Sequence, residues 1–487
     1  MHAASGYFTY WFNYPRGTDP LALAAQVDKD GLVAWADPDK VSNRRLMSAP
    51  YYPLQYYLNN SVTHNGIPVD IRASDAWTIS TGSSAIRVAV VDAGIDQSHP
   101  DLNCGGRGWL GWDAPEFAGY SDDEFHPYGN DMHGTAVAGE IAACHNSIGI
   151  AGIAPNVVLI SVRIFRHLGV GEQVASDASI ADGLNWAWST AQASVISNSW
   201  GGGSPSNAIT DAIDAATTSG RGGLGTAVIF AAGNTADREN GNFGFVVYPG
   251  SLSVVLGVGA IDKNGGISNY SPRGSSLDLV APSSHYTDYC YNLGGSSVGD
   301  LVTTDLSGGA GCNDGPSNDI NYTATFGGTS AATPEVAGAA ALLLSIHSTM
   351  TWSDVKTRIL STADSWGSAS DFGVGKLNVF RVLCPTALTV QASGPNDITR
   401  KGTYTWTANT TGCSGYYTYQ WSVHYDSGYQ YSLGTSKSQT LTVYQDDGSF
   451  RISVTANSGP EQASSSEYVY NCISGGSNCI PAAPIGG

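Results

Sequence analysis

Positive charge is what this chain has least of. Its 22 Lys and Arg stand against 41 Asp and Glu, a formal balance of −19 over 487 residues, and such a surface repels nucleic acid and anionic membranes. Both are therefore excluded as partners. No window stays apolar for the length of a transmembrane helix, and the first residues lack the apolar run of a signal peptide. The chain is expected to begin after a removed export signal or after an engineered Met1. Among eight cysteines and ten histidines there is no Cys-x-x-Cys pair and no zinc-type Cys/His spacing. An even number of cysteines without such pairs fits disulfides formed in an oxidising compartment, so the protein reads as secreted or extracytoplasmic.

What is present begins at Ser330, in Gly327-Gly-Thr-Ser-Ala-Ala-Thr-Pro-Glu-Val-Ala-Gly338. There a glycine-rich turn becomes an Ala/Val/Leu-rich helix, expected over Thr333 to Ser345, with Pro334 near its start. A serine at that mouth has the positive end of the helix dipole behind it. Ser and Thr are also ordinary N-caps, so this motif alone decides little. Ile86-Arg-Val-Ala-Val-Val91 reads as a strand buried on both faces, and Asp92 follows it directly. His133 opens a second small-residue helix, and Thr226-Ala-Val-Ile-Phe-Ala-Ala-Gly-Asn234 is another apolar strand ending in an amide. Open α/β sheets gather ligands at the carboxyl ends of their strands, so the aspartate, histidine and serine are expected to converge there. Ser330 would attack a carbonyl, His133 would carry the proton, Asp92 would hold the imidazole tautomer, and Asn234 would meet the oxyanion.

The order Asp92, His133, Ser330, together with Ala-Ala-Gly-Asn234, resembles the subtilisin-like serine proteases over roughly Tyr51 to Leu383. The resemblance implies an α/β fold, a doubly wound, mostly parallel sheet with flanking helices, and an endopeptidase acting on protein or peptide substrates. By the same likeness Val195-Ile-Ser-Asn-Ser-Trp-Gly201 is the edge that pairs with extended substrate, making Ser199, Trp200 and Gly201 substrate contacts. Cys144-His-Asn-Ser-Ile-Gly-Ile150 is similar to a structural calcium loop. Its implied ligands are the side chains of Asn146 and Asp101 and the carbonyls of Cys144, Ile148 and Ile150, with one more from Tyr51 to Leu58. Cys104 and Cys144 flank this loop and are expected to pair, as are Cys290 and Cys312. Cys384, Cys413, Cys472 and Cys479 allow three connectivities, of which Cys413 with Cys472 is taken as the guess.

Some residues depart from the plain subtilisin pattern. Glu140 after the histidine and Gly-Thr-Ser-Ala-Ala at the nucleophile resemble the kexin branch, which cuts after paired basic residues. The stretch after Trp200 reads Gly201-Gly-Gly-Ser-Pro205, however, and offers no carboxylate to a buried substrate cation. Asp237 and Glu239 remain the acidic residues elsewhere in the chain to serve one. The alternatives are therefore a selective processing protease and a catalytically silent binding protein. Glu335 takes a position where many subtilisins carry histidine, and no catalytic role is assigned to it. His99, His126, His145 and His167 lie in polar, loop-like stretches and read as surface or supporting residues.

Texture changes twice along the chain. Residues 1–47 read as strand, helix and strand and resemble the later part of a subtilase propeptide. This segment is expected to act as an intramolecular inhibitor, with cleavage between Asp39 and Pro50. Residues 48–383 form the catalytic domain. Residues 384–475 alternate polar and apolar as in an all-β sandwich, resembling the polycystic-kidney-disease type of immunoglobulin-like module, here read as a spacer. Residues 476–487 read as a flexible tail, and the protein is expected to be a monomer.

Overall fold

The computed structural model describes residues 3–4, 7–8, 49–104, 109–117, 126–167, 172–287, 301–413, 417–444, 447–458 and 461–473. The expected helix and second strand of the N-terminal segment, its cleavage run, the tail, Cys290 and Cys479 lie outside them. The chain divides into two compact units, Met1–Leu46 and Met47–Gly487. In the first, Ala3–Ala4 pairs antiparallel with Tyr7–Phe8.

The second unit is built on seven strands that all run parallel: β1 Arg87–Asp92, β2 Leu110–Asp113, β3 Val158–Arg163, β4 Val195–Asn198, β5 Ala227–Ala231, β6 Leu256–Ile261 and β7 Leu279–Pro282, in the spatial order β7-β6-β5-β4-β1-β3-β2. Strand side chains alternate between faces, and β1 shows what covers each. Val88 and Val90 enter a core shared with α1 His133–Ala142 and with Thr329–Ile346, whereas Ala89 and Val91 enter one shared with α2 Asp177–Ser189 and α3 Asn207–Gly223. Apolar residues on both faces are thus the consequence of helices on both faces. Strand order reverses between β1 and β4, and a crevice opens at such a switch point.

The helix Thr329–Ile346, α4, begins four residues earlier than its apolar pattern indicated, so Pro334 lies inside it. The proline has no N–H for the carbonyl of Ser330, and the Ser199 hydroxyl donates to that carbonyl instead, at 2.8 Å. Contrary to the sequence reading, α4 is long and apolar enough by composition to cross a membrane, but it is buried inside this domain from Thr329 to Leu344.

Beyond Leu383 the strands Thr389–Ser393, Gly402–Thr411 and Ser438–Val443 form one sheet. Asp397–Ile398, Glu461–Asn471, Phe450–Ser458, Thr418–Tyr425 and Gln430–Gly434 form another. Trp406, Ala408 and Val443 of the first sheet pack with Trp421, Val423, Ile452 and Val454 of the second in a separate core, which makes a β-sandwich. Cys104 pairs with Cys144 as expected. Cys413 pairs with Cys384 and not with Cys472. The reason is local: the Cys413 N–H donates to Thr386 O at 3.0 Å, laying the end of its strand beside the start of the module, while the Cys472 N–H bonds Ile398 O at 2.8 Å. Cys312 and Cys472 are each disulfide-bonded as well.

Candidate active site

Asp92 is the last residue of β1 and is almost fully buried. Its Oδ1 accepts the N–H of Ala93 at 2.8 Å and lies 2.8 Å from His133 Nδ1. A carboxylate so placed selects the tautomer with hydrogen on Nδ1 and leaves Nε2 as the basic nitrogen. His133 is the first residue of α1, and its ring meets Phe326 edge-on at 5.5 Å. The next residue must be glycine: a Cβ on Gly134 would sit 2.2 Å from Gly94 O and 3.2 Å from the Asp92 side chain. The backbone of α1 can therefore press against the end of β1, which brings the imidazole to the aspartate.

Ser330 is the second residue of α4. Gly328 precedes it at φ +76°, a left-handed conformation that a side chain would strain. The Ser330 hydroxyl donates to Ser199 O at 3.1 Å, and Ser199 answers through its own hydroxyl to Ser330 O. The serine is thus tied to the end of β4, with its hydroxyl held by a carbonyl and not by the imidazole.

Asn234 lies just past β5 and is exposed. Its Oδ1 accepts both the backbone N–H and the hydroxyl of Thr329, each at 3.0 Å. The same hydroxyl accepts from Gly233 N–H at 3.2 Å. With the amide oxygen so engaged, the Asn234 NH2 is left as a donor beside the start of α4, where the Ser330 N–H, in the first helical turn, has no intrahelical partner. Thr329 was not singled out in the sequence. A threonine before the serine looks like a cap, and only the fold shows that it aims an amide 95 residues away.

Of the expected substrate contacts, Ser199 is occupied with Ser330, and Trp200 packs edge-on against Phe230 at 5.1 Å and Phe165 at 6.1 Å. Gly201 is exposed beyond them. Asp237 is bonded by Asn240 and Asn269, and Glu239 by the Tyr286 hydroxyl.

In the expected metal loop, Asp101 is fully buried and Cys144 N–H bonds its carbonyl at 2.9 Å. The carboxylate accepts Asn146 Nδ2 at 2.9 Å, Ile150 N–H at 2.9 Å and the Tyr322 hydroxyl at 3.3 Å. From the Tyr51 to Leu58 segment, the Gln55 amide reaches this region and bonds both N–H and C=O of Ala151, and the Tyr51 ring packs on Tyr322 at 5.2 Å. Among the described residues no three His, Cys, Asp or Glu side chains gather around a metal position.

Two buried carboxyls complete the surroundings. Glu140 on α1 and Glu335 on α4 are fully buried, and neither side-chain carboxyl makes a hydrogen bond among the described residues. Burial pushes both well above the usual carboxylate range, and the neighbouring Glu140 raises Glu335 further.

A parallel sheet that delivers an aspartate–histidine pair, a serine at a helix mouth and an oriented asparagine to one switch point is the frame of a serine hydrolase. Residues 83–378 match the model of the subtilase family. Subtilisin E of Bacillus subtilis is 34% identical over 355 residues, covering 73% of this chain and 76% of that protein. Subtilisin of Bacillus pumilus is 37% identical over 300 residues, 61% and 90% of the two chains. A solved Pseudoalteromonas arctica protease superposes with TM-score 0.55 at 27% identity, covering 69% of this chain and 98% of that one. The Aeromonas sobria serine protease, solved with its chaperone, shares the fold at TM-score 0.56 and 17% identity over 87% and 92%. This chain belongs to the subtilase family and is a serine endopeptidase.

Proposed function

We propose that the chain is a secreted endopeptidase that cleaves peptide bonds through an acyl-enzyme on Ser330. The Ser330 hydroxyl turns from the Ser199 carbonyl to His133, which takes its proton as Oγ bonds the scissile carbonyl carbon. Asp92 stabilises the resulting imidazolium. The carbonyl oxygen gains its negative charge between the Asn234 amide and the Ser330 N–H. His133 returns the proton to the leaving amine as the C–N bond breaks, and water then releases the acyl group by the same steps in reverse. The single observation that carries this reading is the part-buried Asp92–His133 bond of 2.8 Å at the switch point. Gly201 and its neighbours would pair with extended substrate. The acidic residues Asp237 and Glu239 are already engaged, which favours a broad protease over one selective for basic pairs.

Calcium is proposed as a structural ligand of the 144–150 loop. Supporting it is an orphaned polar atom: Ile150 is buried, and its carbonyl, like that of Ile148, accepts no hydrogen bond among the described residues. These carbonyls, that of Cys144, the Asp101 carboxylate and the Asn146 amide oxygen, once turned from its present bond to Ile148 N–H, supply the hard oxygen set that calcium takes. The N-terminal segment is proposed as an intramolecular inhibitor. The sandwich is proposed as a spacer of the polycystic-kidney-disease type.

A casein digest with wild type and Ser330→Ala in calcium buffer, with every new terminus read by mass spectrometry, tests the reading. Cutting by wild type alone supports it, and an enzyme terminus between Asp39 and Pro50 locates the propeptide boundary. Equal cutting by both removes Ser330 from the chemistry, and binding without any cutting leaves the silent binding protein as the better account.

A further inference from the structure

The candidate active site lies at the carboxyl ends of the parallel strands, and a second concavity lies at their amino ends. It is a cavity of about 460 Å³, within the range of small-molecule sites. Ile86 precedes β1, Ser194 precedes β4 and Leu224 comes shortly before β5, and all three line it. Asp92 stands at the other end of β1, about 20 Å from Ile86 at the rise of a strand. The cavity is therefore no part of the site around Ser330.

Its wall is mixed in character. Trp188, near the end of α2, supplies apolar surface together with Ile86 and Leu224, while Gln192 and Ser194 supply an amide and a hydroxyl. Among the described residues no aspartate or glutamate lines it, in a chain that carries 41 of them. Arg221 does line it, half-buried where α3 ends in Gly220-Arg-Gly-Gly-Leu-Gly225. Its Nη1 donates to Gly225 O at 3.1 Å and its Nη2 to Ser348 O at 2.6 Å, both neutral carbonyls. Arg72, Arg163, Arg238 and Arg381 each face an aspartate, whereas Arg221 meets no carboxylate among the described residues. Burial lowers its pKa, and no acidic neighbour offsets that.

The lining is also held in place. Arg221 stands at φ +53° and Gln192 at φ +55°, left-handed conformations that side chains rarely adopt. Such strain persists where the surrounding structure over-determines it, and it collects at ligand clamps. The Arg87 carbonyl accepts Ser194 N–H at 2.8 Å and Arg87 Nη1 donates to Ala191 O at 2.8 Å, which ties down the turn that carries Gln192.

We propose that this cavity binds the C-terminal carboxylate of a peptide whose last side chain is apolar. A half-buried guanidinium without a counter-charge is relieved by an anion, and its planar fork of donors matches a carboxylate. Trp188, Ile86 and Leu224 receive the side chain, and Gln192 with Ser194 meets the adjoining amide. An endopeptidase creates such a terminus at every cut, so the ligand is one that its own reaction supplies.

The test is isothermal titration calorimetry of the full-length Ser330→Ala chain, chosen to prevent self-digestion, with N-acetyl-leucine, N-acetyl-leucinamide and acetate. N-acetyl-leucine is expected to bind saturably and at least about tenfold tighter than the uncharged amide or acetate, which lacks the apolar body. Arg221→Gln is expected to reduce the acid to the level of the amide. Gln192→Glu is expected to do the same at unchanged Tm, because it sets a carboxylate into the lining from an exposed position, and it decides alone where Arg221→Gln fails to fold. Heat without saturation, or an acid that binds no better than the amide or acetate, overturns the proposal. Binding that survives Gln192→Glu overturns it too, by placing the ligand elsewhere. The casein digest stands apart from these results, so the loss of this site leaves the peptidase intact.

Discussion

Asn234 and Thr329 show how much of this site rests on one hydroxyl. An exposed asparagine has two rotamer-free ends, and the amide donates to an oxyanion only if its oxygen is held elsewhere. Thr329 holds it twice, through N–H and Oγ1. Asn234→Ala is therefore expected to lower kcat about a hundredfold to a thousandfold with KM little changed, the range measured when subtilisins lose this kind of donor. Thr329→Val, which keeps the backbone bond, should cost less. Unchanged turnover in Asn234→Ala, read with a soluble peptide anilide, removes the amide from the mechanism. The residues proposed to react are legible in the sequence because each ends or opens an element at a recognisable motif. Thr329 and Phe326 are not, because their parts depend on contacts with residues about 95 and 193 positions away.

At the scale of elements, α1 and α4 bring His133 and Ser330 to the crevice and carry Glu140 and Glu335 in their buried faces. The groups acting on this pair from other segments are Tyr57, Lys376 and Asp70. Each carboxyl is raised in the folded protein from an ordinary value of 4.5. Below that pH both states hold the proton and stability is unaffected. Above it the unfolded chain releases protons that the folded chain keeps, so stability falls as pH rises, by about 1 kcal/mol per unit for each such group, until the folded pKa is passed. Glu140→Gln should therefore flatten the decline of Tm between pH 6 and 9. A thermal melt series with the same slope as wild type would remove the pair as its source. The calcium loop belongs to this scale too: EDTA should lower Tm, and calcium should restore it, through mass action on the folded state. Identical melting curves with and without chelator would sink the proposed ligand set of Asp101, Asn146, Cys144, Ile148 and Ile150.

For the whole molecule, the sandwich has its own core, and every described partner of Asp92, Ser330 and Asn234 lies before Leu383. At the junction, the Cys384–Cys413 disulfide ties the first residue of the module to the end of its strand Gly402–Thr411. A chain ending at Leu383 is expected to hydrolyse a soluble peptide anilide with kcat/KM within about twofold of full length, because no oxyanion donor or proton carrier is lost. A drop beyond tenfold in a truncated chain of unchanged Tm would give the sandwich a part in catalysis rather than in spacing.

The sequence by itself determined the class of fold, since apolar runs without alternation demand a sheet covered on both faces, and it determined which residues could react. It could not determine which cysteine meets Cys413 or where α4 starts around Pro334. Those outcomes depend on segments distant in the chain that meet only when the sheet is assembled. Local propensity carries the strand and the helix, but the aim of an amide is a property of packing.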